Sequence, residues 1–348
     1  RNRTKFSGDS KPFFFENPRG ATQKYCRMNR LNIFHFIQQK IEHDGSVALM
    51  MVPQSIGSSP GRQGHLMAIA NDDSMYGTIG GGAMEYKQVE ACKKHLKAQQ
   101  TKPLYQRLTH EKKEDADWSG LSCSGEQTIL SFFLYPVDKI LIEEILDKQN
   151  DRRWSLVCTS DGRLACVLNE VPLQRYMYHF GQENEWSYQF MINQRDHVFI
   201  IGAGHVGQAL CRQLHFLDFD ITLIDNRKKL PTEEIDTLIH QKVICNYKKV
   251  ANFVLSSPLD YIVIMSFSSA LDQLILSQLI QKPCKYIGMM ASSTKAQRIR
   301  AALQKKGLDS ALLERVHTPI GISLSCKSPA EIAVSVAAQM IQIRNQTI

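Results

Sequence analysis

Apolar residues switch from strand-like to helical spacing most clearly across residues 197–210. Four consecutive apolar residues, 198–201, lead into Gly202, Gly204 and Gly207, and apolar residues then recur at helical spacing. This pattern predicts a strand, a tight turn and a helix, with the spacing of a dinucleotide-binding fingerprint. The first glycine allows the turn, the second lets backbone approach a pyrophosphate, and the third lets the helix pack on the strand.

A carboxylate follows this fingerprint at the distance that dinucleotide binding requires. A second apolar run, 221–224, ends in Asp225, 23 residues after Gly202. We expect Asp225 to accept a ribose 2′-hydroxyl, which favours NAD over NADP, although Arg227 weakens that preference. His205, at the predicted helix start, is expected to reach a phosphate. The alternative is a Rossmann-like fold that has lost its ligand.

The second half of the chain, 194–348, predicts a Rossmann-like, doubly wound parallel-sheet domain. Strand-like runs alternate there with helical segments, as in a parallel sheet with helices on both faces. The predicted strands are 198–201, 221–225, 243–245, 261–265 and 284–289.

The first half, 28–193, predicts a mixed α/β domain. Polar residues at 181–196 interrupt its pattern and predict a linker. The predicted helices are 31–41, a segment that starts near residue 83, and 138–148. The predicted strands are 47–52, 66–70, 128–134, 154–157 and 164–167.

A loop rich in small residues follows the first predicted strand. It contains Gly57, Ser58, Ser59 and, three residues later, Arg62. Backbone N–H groups, hydroxyls and a fixed positive charge can form an anion cradle. The alternative is an ordinary hairpin connection.

A second loop contains three consecutive glycines, Gly80, Gly81 and Gly82, at the start of a predicted helix. Such a run is destabilising unless the backbone bends unusually or a ligand approaches closely. The helix N-terminus would point its N–H groups at that ligand. Glu85, in the first turn, either contacts the ligand or only complements the helix dipole.

Composition and charge narrow the function classes. The net charge is +8, but residues 1–27 hold seven basic and two acidic residues, which leaves no basic patch for nucleic acid. We interpret 1–27 as a loose tail or as upstream or expression-derived sequence. The apolar runs are too short to span a membrane, so we predict a cytoplasmic protein.

Nine cysteines form no metal-binding spacing and are expected to be reduced core residues, except Cys123 in a loop of small residues.

Several segments together resemble the xanthine dehydrogenase accessory factors of the XdhC/CoxI family, and the resemblance covers residues 31–345. The chain departs from the family pattern where the family usually has Arg at Gly61, Gly at Ser124, Thr-His-x-His at 266–269 and Gly-Ser-Arg-Arg at 291–294. The matching segments are IGSSPGRQGHLM (56–67), GTIGGGAMEYKQVEA (77–91), GLSCSG (120–125), IIGAGHVG (200–207), LIDNR (223–227), YIGMMASSTK (286–295) and HTPIGISLSCKSPAEIAVSVAAQ (317–339).

The resemblance implies a cofactor chaperone rather than a catalyst. It implies that the chain binds molybdenum cofactor (molybdopterin) and delivers it to apo xanthine dehydrogenase or a related molybdenum hydroxylase, with a cysteine desulfurase as a further partner and a homodimeric assembly. The two glycine loops would hold the phosphate, Glu85 the pterin edge, and Cys123 would be a metal-proximal thiolate. The second domain would bind NAD or another nucleotide.

Two alternatives from other classes remain open. One is an NAD-dependent oxidoreductase that uses the Gly202 fingerprint, although the sequence offers no clear proton donor. The other is a scaffold that senses nucleotides.

Overall fold

The computed structural model describes residues 30–109, 125–148, 151–170, 174–182, 185–193, 195–230 and 232–345, with side chains from Ile33 onward. The α-helices of this part are α1 (Arg30–Glu42), α2 (Gly82–Lys97), α3 (Lys139–Lys148), α4 (His205–Phe216), α5 (Ser269–Leu279), α6 (Ser293–Lys305), α7 (Ser310–Glu314) and α8 (Pro329–Asn345). The strands of the N-terminal domain are β1 (Val47–Gly57), β2 (Leu66–Ala70), β3 (Met75–Gly77), β4 (Leu104–Thr109), β5 (Gly125–Leu134), β6 (Trp154–Thr159), β7 (Leu164–Leu168), β8 (Tyr176–Gln182) and β9 (Glu185–Met191). The strands of the C-terminal domain are β10 (His197–Ile201), β11 (Asp220–Asp225), β12 (Gln241–Ile244), β13 (Tyr261–Ile264), β14 (Tyr286–Met289) and β15 (Val316–His317). Within the described ranges, each helix is too short or too polar to cross a bilayer.

The N-terminal domain contains a five-stranded sheet, β3-β2-β1-β5-β4, and a four-stranded sheet, β7-β6-β9-β8. The central strand β1 is apolar without interruption over 47–52 because its alternate residues enter two cores. Val47, Leu49 and Met51 pack with α1, α3 and the four-stranded sheet. The intervening residues 48, 50 and 52 pack against α2. The five-stranded sheet is therefore covered on both faces.

The predicted linker at 181–196 is wrong, because most of that stretch is β-strand. Trp186, Tyr188 and Phe190 on β9 are buried against the N-terminal core. The residues between them are polar and lie on the opposite, less buried face of the strand. The stretch therefore alternates with a period of two, which in the sequence resembles a polar loop. The connection between the domains is confined to residues 192–196.

The C-terminal domain confirms the predicted doubly wound fold. Its six strands are parallel in the order β12-β11-β10-β13-β14-β15. Helices α4 and α8 cover one face, and α5 and α6 cover the other. The strands β11 and β12 are added on one side of β10, and the strands from β13 onward on the other side. In such sheets, ligands bind at the carboxyl ends of the strands where this order reverses, here between β10 and β13. Strand β15 escaped prediction because it has two residues.

Buried aspartates at the amino ends of the C-terminal strands pair with arginines. Two of these arginines, Arg152 and Arg175, belong to the N-terminal domain, so the pairs join the two domains. Asp196 and Asp260 are at most 4% exposed, which strengthens their attraction to these cations. The pairs are Arg152–Asp260, Arg175–Asp196, Arg344–Asp196 at 3.5 Å and Arg195–Asp220 at 3.1 Å.

Most of the described cysteines are core residues, as expected. Cys92, Cys158, Cys211 and Cys245 are buried free thiols. Burial raises the pKa of Cys92 to about 11, so this thiol is inert at neutral pH. The cysteines at 26 and 123 lie outside the described residues.

His197 at the start of β10 predicts a pH-dependent stability. Burial lowers the pKa of His197 to about 4, against the influence of Asp260. The unfolded chain, with a pKa near 6.5, therefore binds more protons between pH 6.5 and 4. Stability is full above pH 6.5 and is expected to fall by about 3 kcal/mol as the pH drops to 4. Urea unfolding at pH 7.0, 5.5 and 4.5 measures this fall.

The variant His197→Gln removes the titrating group and should flatten that part of the pH dependence. His179→Gln, at an exposed position of β8, is the matched control and should retain the slope. Equal slopes in the wild type and His197→Gln would contradict the assignment.

Candidate cofactor site

A single buried amide fastens the two glycine loops of the N-terminal domain together. Gln127 on β5 is 1% exposed. Its Oε1 accepts hydrogen bonds from Ser59 Oγ at 2.8 Å and from the Gly61 backbone N–H at 3.1 Å. Its Nε2 donates to the Ile79 carbonyl at 2.7 Å. The loop at 57–64 and the loop at 77–82 therefore form one surface, and sequence reasoning missed the residue that joins them.

The contact between these loops leaves no room for side chains at two glycines. A Cβ on Gly61 would lie 2.1 Å from the Ile79 carbonyl oxygen. A Cβ on Gly80 would lie 2.6 Å from the Gly61 nitrogen. Glycine is therefore required at positions 61 and 80 in this arrangement of the loops.

Glu85 shapes the glycine loop. Its Oε2 accepts hydrogen bonds from Thr78 Oγ1 at 2.6 Å, the Ile79 N–H at 2.9 Å and the Gly81 N–H at 3.0 Å. The Gly80 N–H donates to Thr78 Oγ1 at 3.0 Å. The loop N–H groups are thus largely satisfied within the loop. Because Oε2 is used by the loop, a contact of Glu85 with a pterin would involve Oε1. That contact stays a prediction.

Helix α2 begins without a side-chain cap at the glycine run. Gly80, Gly81 and Gly82 all have positive φ, with +77° at Gly81, the N-cap. No atom lies within 4 Å of the position that a Cβ on Gly81 would occupy. The donors that remain for an anion are the first-turn N–H groups from Gly82 to Met84, which have no partner inside the helix. By contrast, α5, α6 and α7 are capped by their own N-cap side chains.

The remaining predicted residues of the first loop point in different directions. Ser59 is buried and turned toward Gln127, whereas Ser58 is exposed. Arg62 is also exposed, and its Nη1 donates to the Gly57 carbonyl at 3.4 Å. The exposed surface of the loop therefore offers Ser58 and Arg62. Cys123 lies outside the described residues, so its role stays a prediction.

In the C-terminal domain, two fingerprint glycines are required by the fold and one is not. A Cβ on Gly202, where φ is +121°, would lie 2.3 Å from the Met265 carbonyl oxygen. A Cβ on Gly207 would lie 2.0 Å from the Gly202 carbonyl oxygen. Gly204 has an ordinary φ of −75°, and nothing lies within 4 Å of its Cβ position. Its missing side chain keeps space open for an external group, and the exposed His205 begins α4 beside it.

Asp225 is 2% exposed and is already fully engaged by the chain. Oδ2 accepts hydrogen bonds from the Ala203 N–H at 2.7 Å and Arg227 Nη2 at 2.9 Å, and Oδ1 accepts from the Arg227 N–H and Nε at 2.9 Å. Burial alone would raise the pKa of Asp225, but the hydrogen bonds from Arg227 and Ala203 hold it below its usual value. The carboxylate that the sequence predicts as the ribose acceptor is thus held by hydrogen bonds from the chain itself.

A second buried carboxylate at this edge of the sheet was missed in the sequence. Asp272 is fully buried. It accepts hydrogen bonds from the Ser266 N–H at 3.0 Å, from Ser266 Oγ at 2.5 Å and from Lys295 Nζ at 2.7 Å. The network ties together the segments after β13 and β14, where the family pattern has histidines and arginines. Nowhere in the described ranges do three or more His, Cys, Asp or Glu side chains converge as a metal site.

Comparison with known proteins agrees with this architecture. The family model "XdhC and CoxI family" matches residues 41–108, and the model "XdhC Rossmann domain" matches 198–340. The Escherichia coli protein YqeB is 23% identical over 319 residues, which cover 90% of this chain and 47% of YqeB. A Bacillus subtilis protein, named as a probable xanthine dehydrogenase subunit, is 23% identical over 171 residues, 49% of each chain. The chain thus spans about half the length of the curated relatives it matches.

A solved structure shares the fold. The crystal structure of a xanthine dehydrogenase from Bacillus halodurans superposes with a TM-score of 0.64 at 19% identity, over 90% of this chain and 96% of that chain. The two family models match one domain each, and the matched residues include the two glycine loops and the fingerprint described above. The chain therefore belongs to the XdhC and CoxI family.

Proposed function

We propose that the chain is an accessory protein of a xanthine dehydrogenase-type molybdenum hydroxylase, and that it binds molybdenum cofactor and hands it to the apo-enzyme. Family membership and the name of the Bacillus subtilis relative support the accessory role. The observation that carries the cofactor proposal is the Gln127 amide, which joins a serine-bearing loop to the uncapped N-terminus of α2.

The residues present suit the phosphate end of molybdopterin. The first turn of α2 provides N–H donors and the positive end of the helix dipole. Gly81 leaves open space at that end, so a phosphate can approach the backbone. Ser58 adds a hydroxyl donor, and Arg62 adds a charge that hydrogen-bonds to phosphate with two donors.

The rest of the cofactor carries a pterin and a dithiolene that holds the metal. In this proposal, Glu85 keeps the loop in its binding shape and presents its second oxygen to the pterin edge. Cys123 is proposed as the thiolate near molybdenum, since soft ligands suit this metal. A cysteine desulfurase as a further partner and a homodimer are also proposals, and they rest on the resemblance alone.

The test is to isolate the protein under reducing, anaerobic conditions from a host that produces the cofactor. Bound pterin is measured by fluorescence after oxidation, and molybdenum by mass spectrometry. We expect the wild type to retain pterin and Arg62→Gln to retain about tenfold less, because the charged guanidinium that would hydrogen-bond to the phosphate is lost. Its melting temperature should be unchanged, since Arg62 is exposed.

Arg153→Gln is the control variant. Arg153 is an exposed arginine that pairs with Asp151, and neither residue belongs to the two loops, so its loss should leave pterin retention unchanged. A wild type without pterin would refute the cofactor proposal. Equal retention by Arg62→Gln and Arg153→Gln would refute the loop assignment.

A further inference from the structure

The carboxylate that should accept a ribose hydroxyl has no acceptor position to spare. A carboxylate offers about four lone-pair sites. Asp225 uses four, one for the Ala203 N–H and three for the N–H groups of Arg227. A ribose diol could bind to Asp225 only by displacing one of these donors, and three of the four belong to Arg227.

Arg227 itself is available to a ligand. Its side chain is 47% exposed, while that of Asp225 is 2% exposed. A guanidinium carries five N–H donors, and the described bonds to Asp225 use Nε and one N–H of Nη2. The pair thus presents donors outward, and its net charge is zero, so an anion meets no uncompensated carboxylate there.

Four lysines lie on the segments that follow β11 and β12. Lys228 and Lys229 follow β11, and Lys248 and Lys249 follow β12, all at exposed positions. The two strands are parallel neighbours with Asp225 opposite Ile244, so these segments leave the sheet side by side. The segments 226–230 and 245–252 contain no acidic residue. The ribose end of the fingerprint is therefore a basic rim.

We infer that this domain binds a dinucleotide with a phosphate on its adenosine 2′-oxygen, of the NADP class, in preference to NAD. Arg227 and the lysines after β11 and β12 would hold the 2′-phosphate, and the open backbone at Gly204 would receive the pyrophosphate. This reverses the preference that Asp225 alone suggests in the sequence. The inference goes beyond the proposed function and does not depend on molybdenum cofactor.

The test is isothermal titration calorimetry of the full chain with NADP⁺ and with NAD⁺ at low salt. The wild type should bind NADP⁺ at least tenfold more tightly. Arg227→Gln should lose that preference and bind NAD⁺ as well as or better than the wild type does, because Asp225 is freed for the ribose diol. Arg212→Gln is the matched control, since Arg212 on α4 is 45% exposed and pairs with the exposed Glu234. It should bind both ligands as the wild type does.

Two further measurements separate this site from a general affinity for phosphate. Gly204→Ala should weaken both dinucleotides at least tenfold with an unchanged melting temperature, because the added methyl meets no protein atom. Adenosine 2′,5′-bisphosphate should bind more tightly than the 3′,5′-isomer. The inference is overturned if the wild type prefers NAD⁺ or binds neither dinucleotide, if NADP⁺ binding survives Gly204→Ala, or if the two bisphosphates bind equally. Pterin retention is unaffected in each case, so the two proposals fail separately.

Discussion

Replacing Gln127 by leucine is expected to lower the free energy of unfolding by about 3 kcal/mol or more. The change removes three hydrogen bonds at once and leaves the buried Gly61 N–H and Ile79 carbonyl without the bond that the amide makes to each of them. Each unsatisfied buried polar group costs about 1–3 kcal/mol, because water does not reach it. Urea unfolding measures the loss.

The same variant tests whether the two loops act as one site. Gln127 is buried and cannot touch a ligand, yet its loss should reduce pterin retention as strongly as Arg62→Gln does, since the loops lose their common anchor. Gln189→Leu is the control, because Gln189 also lies on a strand and makes one described side-chain hydrogen bond, to Asn169 at 3.0 Å. It should cost about 1 kcal/mol and leave pterin retention intact. A Gln127→Leu protein as stable as Gln189→Leu would contradict this account of the loops.

Replacing Lys295 by methionine is expected to destabilise the C-terminal domain by about 3–5 kcal/mol. Asp272 is fully buried, and Lys295 is the cation that compensates its charge. Removal of the cation leaves a carboxylate in a medium of low dielectric constant, and the remaining bonds from Ser266 do not neutralise it.

A surface pair provides the control for this variant. Lys40 is 26% exposed and Lys295 is 25% exposed, but Asp72, the partner of Lys40, is 54% exposed while Asp272 is fully buried. Lys40→Met should therefore cost at most about 1 kcal/mol. Adding Asp272→Asn to Lys295→Met should recover most of the lost stability, because the buried charge disappears. Equal losses for the two lysine variants would show that burial of Asp272 does not decide the energy.

Local patterns in the sequence determine much of the fold. The apolar runs before Gly202 and at 221–225 predict two strands from neighbouring residues alone. The structure contains both strands, as β10 and β11. The glycine loop at the start of α2 is also visible from composition, since a run of three glycines indicates backbone that other residues rarely adopt, and all three have positive φ. The strand β9 was missed because its alternation, with every second residue polar, resembles a loop until the core that receives Trp186 is known.

The partners of the polar side chains were decided only by the tertiary structure. Gln127 reaches Ser59 across 68 positions and Ile79 across 48, and no local pattern joins residues so far apart. The sequence marks Ser59 as a donor, but packing turns it inward. It also marks Asp225 as a ribose acceptor, but Arg227 and the turn after β10 take up its oxygens first. Periodicity specifies which residues are buried, whereas the hydrogen bonds that buried polar groups must make depend on which strands and loops become neighbours.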